Sequence, residues 1–142
     1  MHARTLAGYR EIEHTADWEL ELWAPDLAGL LEQAAQGMYA LAGIRLADGP
    51  RCQQTLEIQV SDAESLLVSF LSELLYLSEQ GLAFDVFTLT LQQPSAGGWQ
   101  LQAILEGAPL AAISKEIKAV TYHRLAIRQT QDGLAANLVL DV

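Results

Sequence analysis

Leu20, Leu22 and Ala24 alternate with Glu19, Glu21 and Trp23. A period of two is the pattern of a strand with one face turned to a core. Extended segments are therefore expected at residues 9–14 and 17–24, and His14, Thr15, Ala16 and Asp17 interrupt them. Pro25 and Asp26 then open a helix, with Asp26 as the expected N-cap. Leu27, Leu30, Leu31, Ala34, Ala35, Met38, Leu41 and Ala42 recur at the helical period, and Gly43 is the expected stop.

After the loop IRLADGP, alternation returns at about residues 52–60, where Leu56, Ile58 and Val60 face one way. Ser61 and Glu64 stand at capping-box spacing before a second helix. Its stripe is Ala63, Leu66, Leu67, Phe70, Leu71, Leu74 and Leu75, and Gly81 ends it. Beyond Gly81 the pattern is all strand. FDVFTLTLQQ, the turn PSAGG and WQLQAILEG make a hairpin. APLAA reads as another turn, KEIKAVTYHRLAIRQT as a strand, and Gln131-Asp132-Gly133 as a hairpin turn into the closing LAANLVLDV. The expected order is β-β-α-β-α-β-β-β-β. Two helices with one apolar stripe each cannot cover both faces of a large sheet. The expected fold is therefore α+β and two-layered: a mainly antiparallel or mixed sheet with both helices on one face.

The chain has 142 residues, of which 51% are hydrophobic and 18% charged. This balance is globular, and the length fits one domain spanning residues 1–142. A chain of that size buries roughly two-thirds of its unfolded surface, so no disulfide or metal is needed for folding. Cys52 is the sole cysteine, which excludes an intrachain disulfide and fits a reducing compartment. It reads as a small buried side chain. The formal net charge is −10, and Lys115 and Lys118 are the only lysines. Such a chain is a poor phosphate-backbone binder on its own and a better partner for cations or basic protein surfaces. No apolar run approaches the roughly 20 residues of a membrane span, and no apolar core of a secretory signal is present at the N-terminus. A cytoplasmic location with no membrane partner is expected.

Asp141 ends a strongly β-prone strand, one residue from the α-carboxylate of Val142. Negative charges gathered at a strand tip are costly unless water or a cation meets them. If the strand carrying Asp17 lies nearby, two side-chain carboxylates and the terminal one converge. Hard oxygen ligands of that kind suit Ca²⁺, Mg²⁺ or Mn²⁺ rather than Zn²⁺. The plainer reading has Asp17 in a turn and Asp141 in water, as most carboxylates are, and residue spacing favours it. Lys118, with apolar Ile117 and Val120 close by, is either a phosphate or carboxylate ligand or a solvated lysine. His14 and His123 are candidate acid–base groups or ligands, but two histidines without a cysteine or HxH spacing are a weak metal signal. Trp18, Trp23 and Trp99 read as core or interface anchors. The chain has no GxxxxGK[ST], no GxGxxG opening a helix and no GxSxG, which disfavours a nucleotide-binding enzyme of the common types.

HTAD at residues 14–17, SLLVSFLSELLYLSEQGLAF in the second helix and its exit, KAVTYH at 118–123 and LVLDV at 138–142 occur in one order. Together they make the chain resemble the archease family over nearly its whole length. Ser69 and Ser72 depart from the family's D-W-L-N-E-L pattern, which removes those polar side chains from any shared role and leaves the apolar stripe intact. Archeases are small protein cofactors of the RtcB-type RNA ligase, which joins tRNA halves through a histidine–guanylate intermediate with GTP and Mn²⁺. The resemblance implies a protein that promotes the ligase's guanylylation and multiple turnover and does not itself join RNA. It implies contact with tRNA or other RNA only through the ligase. It also implies a divalent cation, Ca²⁺ or in the cell Mn²⁺ or Mg²⁺, at Asp17, Asp141 and Val142, and functional roles for Lys118 and His14. Two other classes remain open. One is a free-standing metal-dependent phosphoester hydrolase with Asp17 and Asp141 as ligands and His14 as base. The other is an acidic chaperone or interaction module that needs no metal.

Overall fold

The computed structural model describes residues 6–12 and 17–142. Its order is β1 (Gly8–Ile12), β2 (Trp18–Ala24), α1 (Leu27–Ala42), β3 (Arg45–Leu46), β4 (Cys52–Val60), α2 (Ala63–Glu79), β5 (Leu82–Gln92), β6 (Trp99–Ala112), β7 (Ala119–Val120), β8 (Arg128–Thr130) and β9 (Gly133–Asp141). The class is the expected α+β, with two helices and strand pairings that are all antiparallel among the described residues. The strands divide between two sheets. One runs β1-β2-β9-β7, with β8 also on β9, and the other runs β3-β6-β4, with β5 also on β6.

Helix α1 begins where Asp26 accepts a hydrogen bond from the Gly29 amide at 2.8 Å. It ends where Gly43 turns left-handed at φ 65°, its amide donating to the Ala40 carbonyl. The second helix corrects the capping-box expectation. Its N-cap is Asp62, which accepts from the Ser65 amide at 2.7 Å, while the Ser61 hydroxyl turns to Asp62. A carboxylate at a helix N-terminus meets both the orphan amides and the positive end of the dipole, so it outcompetes the neighbouring hydroxyl. Glu64 is thereby freed to accept from the Ile127 amide at 2.9 Å.

The helices pack on each other and reach both sheets, and the apolar faces join in one cluster. Leu20 and Leu22 of β2, Leu30, Leu31 and Met38 of α1, Leu66, Phe70 and Leu74 of α2, Leu101 of β6 and Leu138 and Leu140 of β9 are all buried in it.

Two extended-segment readings are corrected. Residues expected to turn at APLAA continue β6 to Ala112, because β5 and β3 both pair with that stretch. Pro109 can donate no amide, but its carbonyl accepts from the Ala47 amide and the next amide, Leu110, donates to Gly81. The long strand expected across KEIKAVTYHRLAIRQT is instead two short ones, β7 and β8, with a loop at residues 121–127. There Arg124 takes φ 53°, which no strand accommodates.

Candidate functional site

The β2–β9 ladder fixes what lies at the sheet tip. It pairs Trp18 with Leu140, Glu19 with Val139, Leu20 with Leu138 and Glu21 with Asn137. Asp17 immediately precedes Trp18 and Asp141 immediately follows Leu140, so the two flank the last pair of the ladder, Asp17 in a bend just outside it. Alternation assigns the faces. Leu20, Leu22, Leu138 and Leu140 are buried in the core, so Glu19, Glu21, Asn137 and Val139 lie on the other face, and Asp141 continues that row.

On the other edge of β9, Ala119 pairs with Asp141 and Val120 with Leu140. The Lys118 amide donates to the Asp141 carbonyl at 2.7 Å. Four residues singled out in the sequence, Asp17, Lys118, Asp141 and Val142, thus come to one end of one sheet from three separate segments. Asp17 is half-buried, Asp141 and Lys118 are exposed, and Val142 is half-buried with its side chain against the core. His14 lies outside the described residues.

The donor chemistry, two aspartates at the end of the β2–β9 ladder with no cysteine near them in the chain, is that of a hard divalent cation. Among the described residues no group of three or more His, Cys, Asp or Glu side chains is close enough to hold a metal. A cation at this tip would therefore need backbone or water oxygens to complete its shell.

Two residues along, the same face carries a pocket of about 210 Å³ lined by Glu19, His123, Arg124, Asn137 and Val139. Of these only His123 stands out in the sequence. Glu19 and Asn137 meet through strand pairing, and Arg124 is marked only by a backbone conformation that no periodicity reveals. Elsewhere, an apolar groove of about 280 Å³ lies between the helices and β6, lined by Met38, Ile44, Leu75, Leu110, Ile113 and Ile117, with Glu79 and Glu116 also bordering it. Tyr39 is buried, and burial raises its phenol pKa above the ordinary value. Its hydroxyl approaches the Phe84 backbone without the geometry of a formed hydrogen bond.

Among the described residues no helix is long and apolar enough to cross a membrane. The model of the Archease protein family (MTH1598/TM1083) matches residues 9–142. A protein named archease from Methanosarcina acetivorans is 33% identical over 140 residues, covering 94% of this chain and 95% of its own. One from Methanopyrus kandleri is 29% identical over 139 residues, covering 94% and 99%. Among solved structures, protein 1598 of Methanobacterium thermoautotrophicum superposes with a TM-score of 0.76 at 24% identity, covering 95% of this chain and 99% of that one. A Thermotoga maritima archease, described as a possible chaperone, superposes with a TM-score of 0.67 at 22% identity, covering 100% and 99%. These structures share the fold, and the family match runs from residue 9 to residue 142, across both sheets and the sheet tip that carries Asp17 and Asp141. The chain belongs to the archease family.

Proposed function

We propose that this chain is an accessory protein of an RtcB-type RNA ligase, promoting the ligase's guanylylation and multiple turnover through a divalent cation held at the sheet tip. The observation that supports the reading is the β2–β9 register, whose last pair, Trp18 and Leu140, is flanked by Asp17 on one strand's side and Asp141 on the other. Asp17, Asp141 and the Val142 carboxylate hold the cation, Ca²⁺, Mn²⁺ or Mg²⁺, by oxygen alone. When bound, the cation supplies positive charge that a phosphate oxygen of the ligase's nucleotide can meet. Lys118, fixed by its amide to Asp141, offers an ammonium to the same oxygens. His14, three residues before Asp17 in HTAD, is a further functional residue of this reading. The acidic surface, net charge −10, suits docking on a protein that is basic because it binds RNA. RNA is then reached only through the ligase.

The test is guanylylation of the ligase at limiting Mn²⁺, with and without this chain. Stimulation is expected from the wild type and is lost in Asp17→Ala and Asp141→Ala, with circular dichroism unchanged. Normal stimulation by both variants would falsify the proposal.

A second reading is a chaperone-like interaction module. The possible-chaperone description of the Thermotoga maritima relative and the apolar groove with Glu79 and Glu116 at its border favour it. Such a groove suits an apolar client segment with basic flanks. Calorimetry separates the two, since the first reading requires Ca²⁺ or Mn²⁺ binding that Asp141→Asn weakens. The second requires none.

A further inference from the structure

The pocket beside the sheet tip exists because the chain leaves the sheet between β7 and β8. Both strands pair with β9, but residues 121–127 loop away between them. Ala136, Asn137 and Leu138 are left with a strand partner only in β2. Glu19, Asn137 and Val139 line the pocket from the sheet, and His123 and Arg124 line it from the loop.

Both sides are held in place. The Asn137 side-chain amide donates to Glu19 Oε2 at 2.9 Å, and Asn137 Oδ1 accepts from Arg128 Nη2 at 3.4 Å. In the loop, the Thr121 hydroxyl donates to the Val139 carbonyl at 2.9 Å and accepts from the His123 amide at 3.2 Å. The Leu125 amide donates to the Tyr122 carbonyl at 3.0 Å, closing a turn in which Arg124 sits at φ 53°. Arg124 is the only non-glycine residue with positive φ among those described. The Glu64 carboxylate ties the far end of the loop at Ile127. Backbone strain of this kind persists where the surroundings over-determine it, which is common at ligand clamps.

Charge gives the pocket its chemistry. The chain has 18 acidic residues and 8 arginines and lysines. Arg10 pairs with Glu21 and Arg51 with Asp85. Arg124 makes no ion pair among the described residues, despite that excess of carboxylates. It and His123 are exposed, both at the mouth of the pocket. Glu19 spends one oxygen on Asn137 and keeps Oε1 for another donor.

We infer that this pocket binds a sugar phosphate: Arg124 and His123 donate to phosphoryl oxygens, and Glu19 accepts from a sugar hydroxyl. Sulfate offers only acceptor oxygens, which Glu19 repels, and a sugar without phosphate gives the guanidinium no anion. Neither Asp17, Asp141 nor a cation takes part, so the site stands or falls apart from the cation reading.

The test is two-dimensional NMR of the full chain in EDTA, with ribose 5-phosphate added at millimolar concentration. Saturable shifts are expected at the His123, Arg124 and Asn137 amides, with none from ribose and weaker binding of sulfate. Arg124→Gly suits the left-handed turn and keeps the fold while removing the cation. It should weaken ribose 5-phosphate about tenfold, the order of one charge-assisted hydrogen bond. Glu19→Gln should raise sulfate affinity and lower that of ribose 5-phosphate, closing the gap between them. The inference is overturned by an absence of saturation in the wild type, by unchanged affinity in Arg124→Gly, or by sulfate binding as tightly as ribose 5-phosphate.

Discussion

The amide of Lys118 donates to the carbonyl of Asp141 at 2.7 Å, at the point where β7 joins the last residues of β9. That bond belongs to the backbone, so the position of residue 118 does not depend on its side chain. Lys118→Ala is expected to fold normally, with stability within about 0.5 kcal/mol of wild type as for other exposed positions. Ligase guanylylation should nonetheless lose its stimulation. Thermal melts beside a guanylylation time course check both halves, and a large loss of melting temperature would assign Lys118 to the fold instead.

Gly107 lies across from Phe84, where β5 carries a bulge and Asp85 is the extra residue before Val86 pairs with Glu106. A Cβ at residue 107 would stand 1.9 Å from the Ala83 carbonyl oxygen and 2.7 Å from the Phe84 Cα. Both atoms are backbone of β5, held by its ladder to β6, so neither can swing away as a side chain would. Gly107→Ala is expected to cost at least about 2 kcal/mol, read as a lower denaturant midpoint. A midpoint equal to wild type would show that the bulge relaxes freely.

Tyr39 buries a hydroxyl with no formed hydrogen bond among the described residues. An unsatisfied buried polar group costs roughly 1–3 kcal/mol, and Tyr39→Phe removes it without changing the ring. The variant is expected to match or exceed wild-type stability in urea unfolding. A loss above about 1 kcal/mol would mean that the hydroxyl has a strong partner, on the scale of an ordinary net hydrogen bond.

The Arg51 guanidinium, hydrogen-bonded to Asp85 at 2.6 Å, holds the Asp85 carboxyl below its ordinary pKa. The Ser65 amide does the same for Asp62 at the head of α2. A folded-state pKa below the unfolded one adds stability that is present above the unfolded value and disappears as pH falls through the folded value. Wild type and Arg51→Ala should therefore differ by a constant small amount near neutrality. Below the ordinary aspartate pKa of about 3.9 the two curves should converge. Denaturation midpoints across acidic pH measure this, and a gap that widens on acidification contradicts it.

Local chemistry in the sequence determined both helices. Asp26 and Gly43 bound α1 as their residue types dictate, and the stripes on both helices are the surfaces that became core. Alternation likewise determined β2, β4 and the β5–β6 hairpin, because a side chain's face in a strand follows from parity alone. What the sequence could not determine was partnership. APLAA looks like a turn until β3 and β5 pair with it, and KEIKAVTYHRLAIRQT looks like one strand until Arg124 turns left-handed. The archease motifs marked Asp17, Lys118 and Asp141 as candidates, but the pairing of β9 with β2 and with β7 is what brings their segments to one end of one sheet. The same register drew Glu19 and Asn137 together, 118 residues apart in the chain, with no motif to announce them. Contacts at that separation are chosen by whole-sheet pairing energy, which no window of neighbouring residues contains.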